Sequence, residues 1–238
     1  QFVNNVIYNW GDGGAYIMGD TDAASLADIQ NNYFIEGKSE RYLVRYNGGT
    51  PENPVTQPFN PTAPFTRAKP AFVTYFAGNY FDNNRDGKLD GRLLTREDCN
   101  RYKPDSAIPE GGQQLTPTFL DEPSEKHPII DAKMTAEEAY HWIVDNVGAT
   151  LPVRDEVDAY MIDELTSLGI KGQIIDTEMS LPTRGPGEIL RGVKLPDTDN
   201  DGIPDVWEEQ NGLDKNDPTD AMKIAANGYA NTINVIFN

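Results

Sequence analysis

The chain is expected to be mainly β, wound as coils of a right-handed parallel β-helix, with long loops, two short amphipathic helices and a calcium-binding C-terminal tail. Three observations carry this. A strand-like segment recurs in the first part of the chain, as Phe2-Val3-Asn4-Asn5-Val6-Ile7-Tyr8-Asn9, Ala27-Asp28-Ile29-Gln30-Asn31-Asn32-Tyr33-Phe34-Ile35 and Phe72-Val73-Thr74-Tyr75-Phe76-Ala77-Gly78-Asn79-Tyr80. Each copy holds an asparagine at the same place, Asn5, Asn32 and Asn79. The spacing is that of solenoid coils. An amide both donates and accepts, so asparagines stacked coil on coil can bond one another and the turn backbone as an internal ladder. Two copies alone would equally suit hairpin turns of an antiparallel sheet; the third copy favours the solenoid. The interval from Asn32 to Asn79 is nearly twice that from Asn5 to Asn32, and fits one coil with a long loop or two irregular coils.

Residues 1–99 are therefore assigned to coils. Within them 39–70, with Pro51, Pro54, Pro58, Pro61, Pro64 and Pro70, reads as a long loop leaving the coil body. Residues 100–192 read as a loop and two-helix segment packed on the coils, starting with a Pro- and Gly-broken strap over 100–130. The first helix starts at the capping box Thr135…Glu138, with Ala136, Ala139, Tyr140, Ile143 and Val147 on one stripe before Gly148. Asp155 caps the second, whose stripe is Val157, Met161, Leu165 and Leu168 before Gly169. His127 and His141 lack metal-ligand spacing and read as loop and helix-face residues. Cys99 is the one cysteine, so it forms no intrachain disulfide, and it reads as a small buried hydrophobe.

The formal charge is -18, from 20 basic and 38 acidic residues. Nucleic-acid affinity depends on Lys and Arg, so this balance argues against a nucleic-acid partner and points to calcium as counter-charge. No apolar run approaches the roughly 18 residues of a membrane span. Gln1-Phe2-Val3 opens on an apolar-periodic segment without a charged leader, and the chain is expected to begin inside a fold.

Residues 193–238 form the tail, and its Asp197-Thr198-Asp199-Asn200-Asp201-Gly202-Ile203-Pro204-Asp205-Val206-Trp207-Glu208 matches an EF-hand loop. Calcium takes six to eight oxygens, so alternate carboxylates converge, glycine permits the sharp turn and a late glutamate binds through both oxygens. The expected ligands are Asp197, Asp199, Asp201, the Ile203 carbonyl, Asp205 and Glu208; a solvated acidic loop is the alternative. A second run, Asp82-Asn83-Asn84-Arg85-Asp86-Gly87-Lys88-Leu89-Asp90, offers Asp82, Asn84, Asp86, the Lys88 carbonyl and Asp90, but Leu93 stands where the glutamate belongs. Calcium and a plain Asx-rich turn are both open there.

Taken together, Phe2–Trp10, Asn31-Asn32-Tyr33-Phe34, Gly78-Asn79-Tyr80, Ala136–Tyr140, Val147-Gly148-Ala149, Pro152–Asp158 and the tail from Asp197 through Asn216-Asp217-Pro218 resemble the pectate lyases of polysaccharide lyase family 1, in the Bacteroidetes form. The resemblance implies calcium-dependent β-elimination of homogalacturonan by a secreted, periplasmic or outer-surface protein. It also implies that the catalytic calcium acids and arginine base precede the Asn-Asn-Val-Ile-Tyr-Asn-Trp block, in N-terminal coils of the same parent protein, so no catalytic residue is assigned in this chain. Arg67 is the candidate contact to a uronate carboxylate, with Arg41 and Arg45 as solvated loop arginines. Trp10, Tyr16 and Tyr46 suit sugar stacking or coil packing. Two other classes stay open: a non-catalytic, calcium-stabilised glycan-binding or surface module, and a β-helical polygalacturonase-type hydrolase, for which Asp20 and Asp22 are the close acidic pair.

Overall fold

The computed structural model describes residues 1–10, 14–18, 23–39, 42–50, 53–58, 64–66, 68–100, 116–130, 133–150, 153–188 and 193–237, and divides into two compact units, Gln1–Ile189 and Leu190–Asn238.

In the first unit, strands β1 (Phe2–Val3), β2 (Val6–Tyr8) and β3 (Tyr16–Ile17) make one passage of the chain, and β4 (Ser25–Gln30) and β5 (Tyr33–Ile35) the next. A hairpin, β6 (Tyr42–Thr50) and β7 (Asn53–Pro58), and a short strand β8 (Phe65–Thr66) precede the third passage, β9 (Phe72–Ala77) and β10 (Tyr80–Asp82). Then come β11 (Arg92–Leu93) and β12 (Thr118–Leu120). One sheet has the order β1-β4-β9-β12, parallel throughout. The other has the order β11-β10-β5-β2, parallel except for β11, and β3 pairs β8 in parallel.

The long interval is thus a single passage with an insertion, because β4 pairs β9 directly and β5 pairs β10. Residues 42–50 and 53–58, read as loop from the prolines of this stretch, form the antiparallel β6–β7 pair; Pro54 and Pro58 are tolerated because a two-stranded sheet consists of edges. The strap region also supplies a strand, β12, to the first sheet. Its residues 101–115 lie outside those described.

The asparagines form the expected ladder. Asn5 Nδ2 donates to Asn32 Oδ1 at 2.9 Å, and Asn32 Nδ2 to Asn79 Oδ1 at 2.8 Å. The backbone N–H groups of Asn5 and Asn32 donate to the same two acceptors at 2.9 and 3.1 Å. The residue before each rung makes the bend between the two sheets: Asn4, Asn31 and Gly78 all have positive φ, at 58°, 52° and 67°. Asparagine tolerates this left-handed conformation. At Gly78 a side chain would require Asn31 to move, since a Cβ would lie 2.0 Å from Asn31 Oδ1.

Register explains why the strands are apolar at successive positions. Ile7, Phe34 and Phe81 align on one face of their sheet, and with Ile29, Phe65, Phe72, Phe76, Met18 and Cys99 they build the interior core. Val6, Tyr33 and Tyr80 point to the other face, where α1 (Ala136–Asn146) and α2 (Glu156–Thr166) cover them through Ala136, Tyr140 and Leu165. A sheet covered on both faces loses polar alternation. Burial pushes the Cys99 thiol up, as suits a packing residue. Trp10 and Tyr16 pack against the core, Tyr16 with its ring 5.0 Å from that of Phe2, so both act in coil packing.

Both helices start where their caps predict. Glu138 N donates to Thr135 Oγ1 at 3.2 Å while Thr135 N donates to Glu138 Oε2 at 2.9 Å, and Asp158 N donates to Asp155 Oδ1 at 2.8 Å. The outer members of the stripes, Val147 and Met161, are exposed. The bend asparagines anchor the approach to α1 at Met134: Asn4 Nδ2 and Asn31 Nδ2 both donate to Met134 O at 2.7 Å, and Met134 N donates to Asn4 Oδ1 at 3.1 Å. On the other sheet the buried Asp28 meets His127 Nδ1 at 2.8 Å and accepts from Ser124 N at 3.2 Å, which ties residues 124–127 to β4. His127 is therefore a structural partner of a buried carboxylate.

Candidate metal centre

The C-terminal unit contains α3 (Asp205–Asn211) and α4 (Asn231–Phe237). Among its described residues, Ile203 and Ala221 are the buried apolar side chains, while Val206, Met222, Ile224, Tyr229 and Ile233 are exposed. Such a small core supplies little hydrophobic stabilisation, the usual situation in which a short unit relies on a metal or cross-link.

The 197–208 loop folds by local hydrogen bonds. Asp201 N donates to Asp199 Oδ1 at 3.3 Å, and Ile203 N to Asp201 Oδ1 at 2.8 Å, each from two residues downstream in the Asx-turn manner. Asn200 and Gly202 take positive φ, 60° and 96°. The reversals bring carboxylate oxygens of Asp197, Asp199 and Asp201 within 4.8 Å of one another, and a second triad, Asp201, Glu208 and Asp220, meets the same limit. Oxygens that ligate one calcium at 2.3–2.6 Å lie at about this separation or closer.

Glu208 is fully buried, and neither of its carboxylate oxygens has a protein hydrogen-bond partner. Asp197 Oδ1, Asp199 Oδ2, Asp201 Oδ2 and Asp220 Oδ1 are buried and unpartnered as well. Buried carboxylates without donors are costly, and each adds to the repulsion on the others. Burial, followed by the charges of Asp199, Asp201, Asp220 and Asp205, pushes Glu208 up to about 7. Asp199 is also raised by burial.

Asp205 sits differently. Its two oxygens accept from Thr198 N and Thr198 Oγ1, both at 2.7 Å, and the Thr198 hydroxyl and amide hold it below the usual carboxylate range. It belongs to neither triad, whereas Asp220, which no sequence motif marks, belongs to one.

The Glu208 shift has a sign that can be checked in metal-free protein. Its folded value lies above the ordinary 4.5, so the folded state binds the proton more tightly. The stabilisation is then full below about 4.5 and lost as pH rises through about 7. In excess chelator the melting temperature should fall between about pH 5 and pH 7.5; a rise across that window would refute the assignment.

The 82–90 loop shares the turn chemistry. Asp86 N donates to Asn84 Oδ1 at 3.1 Å and Lys88 N to Asp86 Oδ1 at 3.0 Å, with Arg85 and Gly87 at positive φ. Asp82 is buried, and burial raises its carboxyl. The other groups are engaged locally, Asn84 Nδ2 with Asp90 Oδ1 at 2.8 Å and the Lys88 ammonium with Asp86 at 3.2 Å. None of its carboxylates appears in a converging triad among the described residues. Arg67, Arg41, Asp20 and Asp22 lie outside the described residues, as do the side chains of Arg45 and Tyr46.

No family model matches the chain, and no solved structure matches it. Curated proteins do. The "Probable pectate lyase C" of Aspergillus terreus is 38% identical over 229 residues, which are 96% of this chain and 46% of that protein. The protein of the same name from Neosartorya fischeri is 36% identical over 229 residues, again 96% of this chain and 46% of its own length. That of Emericella nidulans is 35% identical over 230 residues, 97% of this chain and 45% of its own. The chain spans a little under half the length of these relatives. From its stacked strands to its acidic tail, the chain is similar to a stretch of proteins named for pectate lyase.

Proposed function

We propose that this chain forms the C-terminal coils and tail of a secreted, calcium-dependent pectate lyase of polysaccharide lyase family 1, built on a right-handed parallel β-helix. The observation that carries the reading is the similarity to "Probable pectate lyase C" proteins along 96% of the chain. Parallel strands stacked in register around an asparagine ladder support it. The Bacteroidetes form is part of the proposal and rests on the order of the motifs alone.

In this reading calcium bridges substrate carboxylates to protein acids and makes the C5 proton of the uronate more acidic. An arginine removes that proton while the bond to O4 breaks. Those groups belong to coils that precede this chain. The edges of β1 and β2, each at the end of its sheet, receive the preceding coil. Arg67 pairs with a uronate carboxylate, and cations reconcile the charge of -18 with a polyanionic substrate. Calcium at Asp197, Asp199, Asp201, Ile203 and Glu208 holds the tail, and a weaker calcium occupies the 82–90 loop.

The test compares the parent protein with this chain on polygalacturonate and calcium. The parent should release unsaturated oligosaccharides that absorb in the ultraviolet, chelator should abolish the release, and this chain alone should release none. In the parent, Arg67→Ala should raise KM severalfold and change kcat less. Reducing ends without ultraviolet absorbance would make the parent a hydrolase, and no product would leave the non-catalytic module.

A further inference from the structure

We propose that the calcium ion of the C-terminal unit is ligated by Asp197, Asp199, Asp201, Glu208 and, from beyond the EF-hand-like loop, Asp220, and that Asp205 is not a ligand. The inference rests on the calcium reading above and assigns its ligands.

The first support is convergence, since Asp220 brings a carboxylate oxygen within 4.8 Å of those of Asp201 and Glu208. The second is independent of acidity. Glu208 is fully buried with both oxygens unpartnered, and Asp220, 3% exposed, leaves Oδ1 unpartnered. The nearby cations are otherwise engaged, Lys215 with Glu209 at 2.6 Å and Lys223 with Asp217 at 3.0 Å. Three oxygens of two buried acids left without a donor call for a positive partner, and a hard cation that accepts many oxygens at flexible angles suits carboxylates drawn from separated segments. Magnesium, which keeps most of its water and demands octahedral geometry, suits them less.

Asp220 is also placed to transmit the ion's pull. Its Oδ2 accepts from Asp214 N at 3.0 Å, and its carbonyl accepts from Asn231 Nδ2 at 2.8 Å. The carbonyl of the next residue, Ala221, accepts from Thr232 N and Thr232 Oγ1, both at 3.1 Å. One cation thus joins the 197–208 loop, α3, the 214–221 turn and the start of α4. Such a cross-link suits a unit whose described residues bury two apolar side chains, Ile203 and Ala221.

The test is calcium titration by calorimetry on this chain and its Glu208→Gln, Asp220→Asn and Asp205→Asn variants, with melting curves in calcium and in chelator. Binding that disappears in Glu208→Gln identifies the C-terminal ion. Asp220→Asn should weaken that ion's binding by about tenfold or more, and Asp205→Asn by less than about threefold. In chelator Asp220→Asn should melt at or above the wild type, because one repelling charge is gone; in calcium it should melt below. A loss under threefold in Asp220→Asn, a tenfold loss in Asp205→Asn, or an Asp220→Asn protein that melts lower in chelator as well would overturn the assignment. Absence of any calcium uptake sensitive to Glu208→Gln would instead remove the calcium reading beneath it.

Discussion

Replacing Asn32 with alanine should lower the unfolding free energy of the strand-bearing unit by about 3 to 5 kcal/mol. Asn32 is fully buried and is the middle rung of the ladder. Its Oδ1 accepts from both Asn5 N and Asn5 Nδ2, and its Nδ2 donates to Asn79 Oδ1 and to Phe2 O. Truncation deletes these bonds and leaves the part-buried Asn5 N–H and Phe2 carbonyl without their partner, each costing about 1 to 3 kcal/mol. Asn5 is partly exposed at the edge of the stack, so Asn5→Ala should cost about 1 kcal/mol, as water replaces part of what is lost. Urea unfolding followed by circular dichroism measures both. Equal losses at the two positions would show that the rungs do not act as an internal ladder.

Calcium removal should act on the other unit. A cation that binds the folded form alone contributes about 3 to 4 kcal/mol when its free concentration is a hundred- to a thousandfold above Kd. Excess chelator should therefore raise amide hydrogen exchange across residues 197–221 and in α4, while β4, β5, β9 and β10 stay protected. The contrast follows from the two cores. The strands bury Phe34, Phe76 and Phe81 whether or not an ion is bound, whereas the C-terminal unit buries Ile203 and Ala221 around unpartnered acids. Unchanged exchange over 197–221 in chelator would sink this expectation.

Several features could be read directly because their causes are local or periodic. The strand repeat with its asparagine rungs, the capping box of α1, the Asp155 cap and the Asx-turn chemistry of both acidic loops all depend on residue types a few positions apart. The bend role of Asn4, Asn31 and Gly78 was present in the same dipeptides, but its left-handed backbone shows only in the dihedrals. Prolines concealed the β6–β7 hairpin, since the signal that demotes a central strand is silent about a two-stranded edge.

Residue type and spacing thus set which segments become strands, helices and ligand-bearing turns, because hydrogen bonds between near neighbours and the two-residue side-chain period are short-range properties. Folding alone chose the partners across long separations, His127 for Asp28 and Met134 for Asn4 and Asn31, and it brought Asp220 beside Glu208 while Thr198 drew Asp205 aside. Such pairs are settled by which buried group would otherwise lack a partner once the chain is compact, and that demand leaves no periodic mark in the sequence.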